Sequence, residues 1–181
     1  MPQQPLPTNE TRVDPEITEI QVTERSHVSA DQEVARLHFD SNPIAVGDAI
    51  ETIVESVAAF SPSPDALGAI EIVVAEVINN IIEHAYRNLS GNPIEVVVRR
   101  IDAGWAFHFT DRGDPLPCGE LPSGQPQELR VPRDSLPEGG FGWLLIRKLT
   151  QNLRYRHDGS RNHLEFSVPW SESHTAQGTA W

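Results

Sequence analysis

The chain has 181 residues, 38% of them hydrophobic, and sets 14 Lys and Arg against 26 Asp and Glu for a formal charge of −12. That length suits one domain-sized core, and that charge repels a phosphate backbone or an anionic bilayer, so neither nucleic acid nor a membrane is an expected partner. No run reaches the roughly 18 apolar residues of a membrane span, "MPQQPLPTNETRVDPE" lacks the basic start and apolar block of a signal peptide, and the single Cys118 has no second thiol for a disulfide or a metal site; the expected location is cytoplasmic.

Residues 1–31 mix Pro, Gln, Thr and Glu without a sustained apolar period and read as a disordered N-terminal extension. The folded domain is expected over 32–170. "EVARLHFDS" alternates as a strand around Val34, Leu37 and Phe39. "NPIAVGDAIETIVESVAAF" then places apolar residues three and four apart, as an amphipathic helix does. "SPSPDAL" breaks the pattern with Ser and Asp as cap candidates, and a longer helix is expected from about Asp65 to Asn88. After "LSGNP" the period falls to two: "IEVVVRRI" and "WAFHFTD", joined by a turn containing Gly104, predict an antiparallel hairpin. Residues 114–140 carry six prolines and no period, which suits a functional lid or a disordered insert. "FGWLLIRKLTQN" predicts a short helix, "LRYRH" and "NHLEFSVPW" a closing hairpin around "DGSR", and 171–181 a disordered tail. The order favours an α+β fold with helices on one face of a mixed, mostly antiparallel sheet.

Three stretches carry candidate chemistry. In "EVINNIIEHAY" the residues Glu76, Asn79, Asn80, Glu83, His84 and Arg87 share one half of the helix, and the apolar residues share the other. Alone, that stripe reads as a solvated face with a Glu83–Arg87 pair one turn apart. Val73, among the polar residues, hints that the face is partly covered. "TDRGDP" presents Asp111 at a strand end with Gly113 after it; alone this is a strand-ending turn, though a carboxylate beside a glycine also suits the exocyclic amine of adenine. "EGGFGWLLIRKL" leads glycines into a helix, either a hinge or a set of free backbone N–H groups for a polyphosphate.

In this order the three stretches resemble the anti-sigma-factor serine/threonine protein kinases of the RsbW type, within the Bergerat-fold, histidine-kinase-like ATPase superfamily. The matching residues are Glu76, Asn80, His84, Ala85 and Tyr86, then Asp111 and Gly113, then Gly140, Phe141 and Gly142; "YRHDGSRNHLEF" resembles the family's last hairpin. The resemblance implies a Bergerat-type two-layer sandwich with a lid at about 114–140. It implies ATP and Mg as cofactors, Asn80 as the magnesium ligand, and Asp111 and Gly113 at the adenine. Gly140, Phe141 and Gly142 would lie around the phosphates, Glu76 would be the catalytic base toward a serine hydroxyl, and His84 and Tyr86 would brace the site. Implied partners are an anti-sigma-factor antagonist as substrate, a sigma factor or equivalent output protein, and a second copy in a homodimer. The chain departs from the pattern at Asp114–Pro115, where the superfamily often has a further glycine. It departs again at Glu138, where some relatives carry a basic residue that Arg130 or Arg133 would have to replace, and at the bulky Trp143. An alternative reading is an ATP-sensing switch that binds the same partners without phosphate transfer. A histidine kinase's catalytic domain would need a dimerisation helix pair bearing a phosphoacceptor, which the sequence does not show, and a gyrase-like or MutL-like protein would need a transducer domain.

Overall fold

A computed structural model describes residues 17–22, 31–60, 62–124 and 141–170 of the chain. Six strands form one sheet: β1 (Ile17–Val22), β2 (Asp31–Asp40), β3 (Pro93–Ile101), β4 (Gly104–Asp111), β5 (Gln151–His157) and β6 (Asn162–Pro169). They lie in the order β1-β2-β3-β4-β6-β5, and every pairing is antiparallel. Three helices, α1 (Pro43–Ala58), α2 (Pro64–Asn80) and α3 (Gly142–Leu149), complete an α+β fold of two layers.

Local chemistry sets the helix starts. Asn42 accepts from the Ala45 N–H at 2.9 Å and Ser63 from the Ala66 N–H at 3.2 Å, and each cap is followed by a proline at the first helical position. Ala45, Ala49, Ile53 and Val57 of α1, with Ile70, Val73, Val74, Val77 and Ile78 of α2, are buried. They meet the alternate residues of the sheet, Leu37, Phe39, Val96, Val98, Trp105, Phe107, Phe109, Leu164 and Phe166, in one core. Phe166 stacks against Phe107 and Phe109 at centroid distances of 5.1 and 6.0 Å, which fixes the register of β4 against β6. Val73 is fully buried, so the face carrying Glu76 is indeed covered along part of its length.

Two sequence expectations are corrected. The extension expected over 1–31 contains β1, which pairs with β2 at the sheet edge. The register slips by one residue between Ile17 and Glu19, and this bulge breaks the two-residue period that would have announced the strand. The helix expected to reach Asn88 leaves α-helical geometry after Asn80 and passes through a π-helical turn, Ile81–Ala85. Residues 1–16, 23–30, 125–140 and 171–181, and with them most of the expected lid and the whole tail, lie outside the described residues.

The other side of the sheet carries Arg36, His38, Glu95, Arg99, His108, His163 and Glu165, alternating with the core residues along their strands. They form ion pairs: Arg36 with Glu33 on its own strand at 2.9 Å and with Glu95 across to β3 at 2.8 Å, and His163 with Asp158 of the β5–β6 turn at 2.9 Å.

Candidate functional site

The end of α2 builds the first wall. In the π turn the Tyr86 N–H bonds to the Ile81 carbonyl at 2.8 Å and the Asn88 N–H to Ile82 at 2.8 Å. Such turns insert a residue into the helical ladder and occur frequently at functional sites. Arg87 and Asn88 then take left-handed backbone, at φ 51° and 61°. The expected Glu83–Arg87 pair therefore does not form, because the two are no longer one α-helical turn apart; Arg87 pairs with Asp114 instead. Tyr86 is buried, its hydroxyl donating to the Pro93 carbonyl and accepting from the Arg112 N–H at 3.0 Å. It ties the start of β3 to the end of β4, the bracing role expected of it, while His84 is exposed on the pocket wall.

Asp111 ends β4 on the core side of the sheet and is 6% exposed. Its Oδ1 accepts from the Gly113 N–H at 2.8 Å and from the Asn162 amide at 2.7 Å. Burial raises its pKa, and these two bonds oppose the rise. The carboxylate is thus held in place yet under-solvated, so an N–H donor in the pocket gains a strong acceptor. Gly113 serves a contact within the protein: a Cβ there would lie 2.5 Å from the Ala85 carbonyl oxygen, and the neighbouring Asp114 N–H bonds to that oxygen at 2.9 Å. Removing a side chain at 113 lets the second stretch dock on the end of the first.

The third stretch joins them at α3, which packs against α2. A methyl group on Gly142 would sit 2.6 Å from Glu76 Oε2 and 3.4 Å from Asn80 Nδ2, so only a glycine leaves this carboxylate and amide room beside the helix start. Among the described residues no side chain caps α3, and the N–H groups of a helix's first turn suit an anion. Asn80 Nδ2 donates to the Glu76 carbonyl at 2.7 Å, which orients the amide and leaves Oδ1 as its oxygen donor. Gly140 lies outside the described residues, as do Glu138, Arg130 and Arg133. The far wall is the segment after Asp114: Arg147 of α3 donates to the carbonyls of Pro122 at 2.7 Å and Leu121 at 3.3 Å, which pins this segment to the helix.

These walls enclose a pocket of about 500 Å³, lined by Asn80, His84, Asp111, Leu116, Trp143 and Tyr155 among others and mostly apolar between them. Its size and its few convergent polar groups suit a small ligand with a flat apolar body. Asn162 and Tyr155, which sequence reasoning did not single out, hold Asp111 from the last hairpin; the quoted "YRHDGSRNHLEF" contains both.

The two-layer fold, the buried acceptor and the pocket beside the start of α3 suit a nucleotide-binding domain. The family model described as histidine kinase-like ATPase domain matches residues 39–168, and the chain belongs to that family. No curated protein matches the sequence. Membership implies ATP use, and the residues fit it: Asp111 presents an acceptor for an amine, and Asn80 an oxygen of the kind magnesium prefers. No helix among the described residues is long and apolar enough to cross a membrane.

Proposed function

We propose that the protein is an ATP-dependent protein serine kinase that phosphorylates a serine of an anti-sigma-factor antagonist in a partner-switching pathway, and that it binds a sigma factor or equivalent output protein. The observation that supports this reading is the place of Glu76. Its carboxylate lies one helical turn before Asn80 and against Gly142, at the start of α3, whereas Asp111 lies on the pocket wall. Nucleotide binding has no use for a carboxylate beside the phosphate-binding turn, since it repels the phosphates; phosphate transfer to a hydroxyl does.

In this reading Asp111 accepts from the adenine amine, and the first N–H groups of α3 hold phosphate oxygens. Magnesium, held through Asn80 Oδ1, supplies charge neutralisation at the phosphates. Glu76 takes the serine proton as the serine oxygen bonds to the γ-phosphorus; the bond from that phosphorus to the bridging oxygen breaks, and ADP leaves. The cytoplasmic location and a homodimer belong to the same proposal.

Calorimetric titration of ATP with and without magnesium, beside transfer of labelled γ-phosphate to anti-sigma-factor antagonists, tests it. Asn80→Ala is expected to lose the magnesium-dependent part of binding. Glu76→Gln is expected to keep binding within about threefold while transfer falls on the order of 10²-fold or more. Binding without transfer in the native protein would leave the ATP-sensing switch as the surviving function.

A further inference from the structure

The Asp111 carboxylate is held by a chain of side chains that runs out of the base pocket. Asn162, 5% exposed, donates through Nδ2 to Asp111 Oδ1 at 2.7 Å and to the carbonyls of Gly113 and Asp114 at 3.1 and 3.3 Å. That fixes the amide's orientation, because the flipped form would set its oxygen against three oxygens. The oxygen so placed faces donors: the Tyr155 hydroxyl at 2.6 Å and His157 Nδ1 at 3.1 Å. Tyr155 has then given its one proton, and its oxygen accepts the Leu116 N–H at 2.9 Å. Leu116 immediately precedes a 3₁₀ turn, Pro117–Gly119, and lies on the pocket wall.

We propose that Tyr155 is a positioning residue for base recognition: by locking the Asn162 amide it aims Asp111 at the exocyclic amine of the base and couples that aim to the wall segment at Leu116. The inference rests on reading Asp111 as the acceptor for the adenine amine. Without the hydroxyl, Asn162 Oδ1 keeps only His157, an exposed side chain, and the amide gains freedom to turn. The loss then falls on ligands that carry the amine, since those alone use the aimed carboxylate.

The test titrates ATP and the triphosphate of purine riboside, which lacks the 6-amino group, into the native protein and Tyr155→Phe with magnesium present. Phenylalanine keeps the ring, and thermal unfolding checks that the variant folds. The native protein is expected to prefer ATP by about tenfold, the scale of one hydrogen bond to a charged acceptor. Tyr155→Phe is expected to reduce that preference about threefold, with the affinity for the amine-free nucleotide nearly unchanged. A purely structural role would weaken both nucleotides by one factor and leave their ratio alone. An unchanged ratio in Tyr155→Phe overturns the proposal, as does, should that variant not fold, an unchanged ratio in Asn162→Ala, which removes the amide through which Tyr155 would aim Asp111. A native protein that binds both nucleotides equally overturns the Asp111 reading itself, and this inference with it.

Discussion

A carboxylate as buried as Asp111, with one oxygen bonded to an amide and a backbone N–H, has lost more water than its partners replace, which is why burial lifts its pKa. Free of nucleotide, that charge strains the fold it sits in. Asp111→Asn keeps Oδ1 as acceptor for both bonds and removes the charge. The melting temperature is therefore expected to stay level or rise by up to about 3 °C, as calorimetry without ligand would show. ATP affinity is expected to fall by about tenfold or more in the same variant, because a neutral amide is a weaker acceptor for the base. A variant that melts well below the native protein would mean that the charge supports the fold. Residues of this kind were legible in the sequence: Asn80 and Asp111 stand at spacings that the fold brings to one pocket, and Glu76 lies one helical turn before Asn80, against Gly142. Asn162 and Tyr155 were not, because their role exists only once β4, β6 and β5 are in register, with Asp111 opposite Asn162 and Asn162 opposite His157.

Among the elements, the motif glycines Gly113 and Gly142 separate into different kinds of constraint. At Gly113 a Cβ meets the Ala85 backbone, which cannot give way without moving the π turn. Gly113→Ala is expected to cost about 2 kcal/mol or more and lower the melting temperature by roughly 5 °C. At Gly142 a Cβ meets the far end of the Glu76 side chain, which can swing aside. Gly142→Ala is expected to melt within about 2 °C of the native protein, while phosphate transfer drops at least tenfold as Glu76 is displaced. Paired thermal scans and transfer assays check both, and the reverse ranking would refute this reading of the contacts. Helices α1 and α2 and the β3–β4 hairpin announced themselves because their apolar periods run unbroken. β1 and the π turn did not, since a bulge and an inserted helical residue each shift the period by one, and local pattern carries no sign of such a shift.

Across the whole molecule, the sheet divides its titratable groups: the core side keeps Asp111, while the other side carries His108 and His163, whose rings stack 5.3 Å apart with a 3.1 Å hydrogen bond between them. Burial, opposed by Glu165 and Glu95 and reinforced by His163 and Arg156, lowers the His108 pKa. With the folded value below the unfolded value of about 6.5, the unfolded chain binds more protons. Stability is then fully present above that unfolded value and is lost as the pH falls through the folded one. Urea unfolding at pH 7.5 and 5.5 is expected to show the loss, and His108→Gln to reduce it by no more than about 1 kcal/mol, since the ring is partly exposed; an equal loss in the variant would assign it to other groups. Trp143 gives the molecule a different use. It lies on the pocket wall, whereas Trp105 and Trp170, 5.2 Å apart edge to face, sit at the other end of β4, roughly 20 Å along the strand from Asp111. Of the four indoles, Trp143 is placed to change its emission as the pocket fills and Trp105 and Trp170 as the core melts, so the protein carries separate optical reporters for occupancy and for folding, with no label attached, and Trp181→Phe removes the remaining one from the signal.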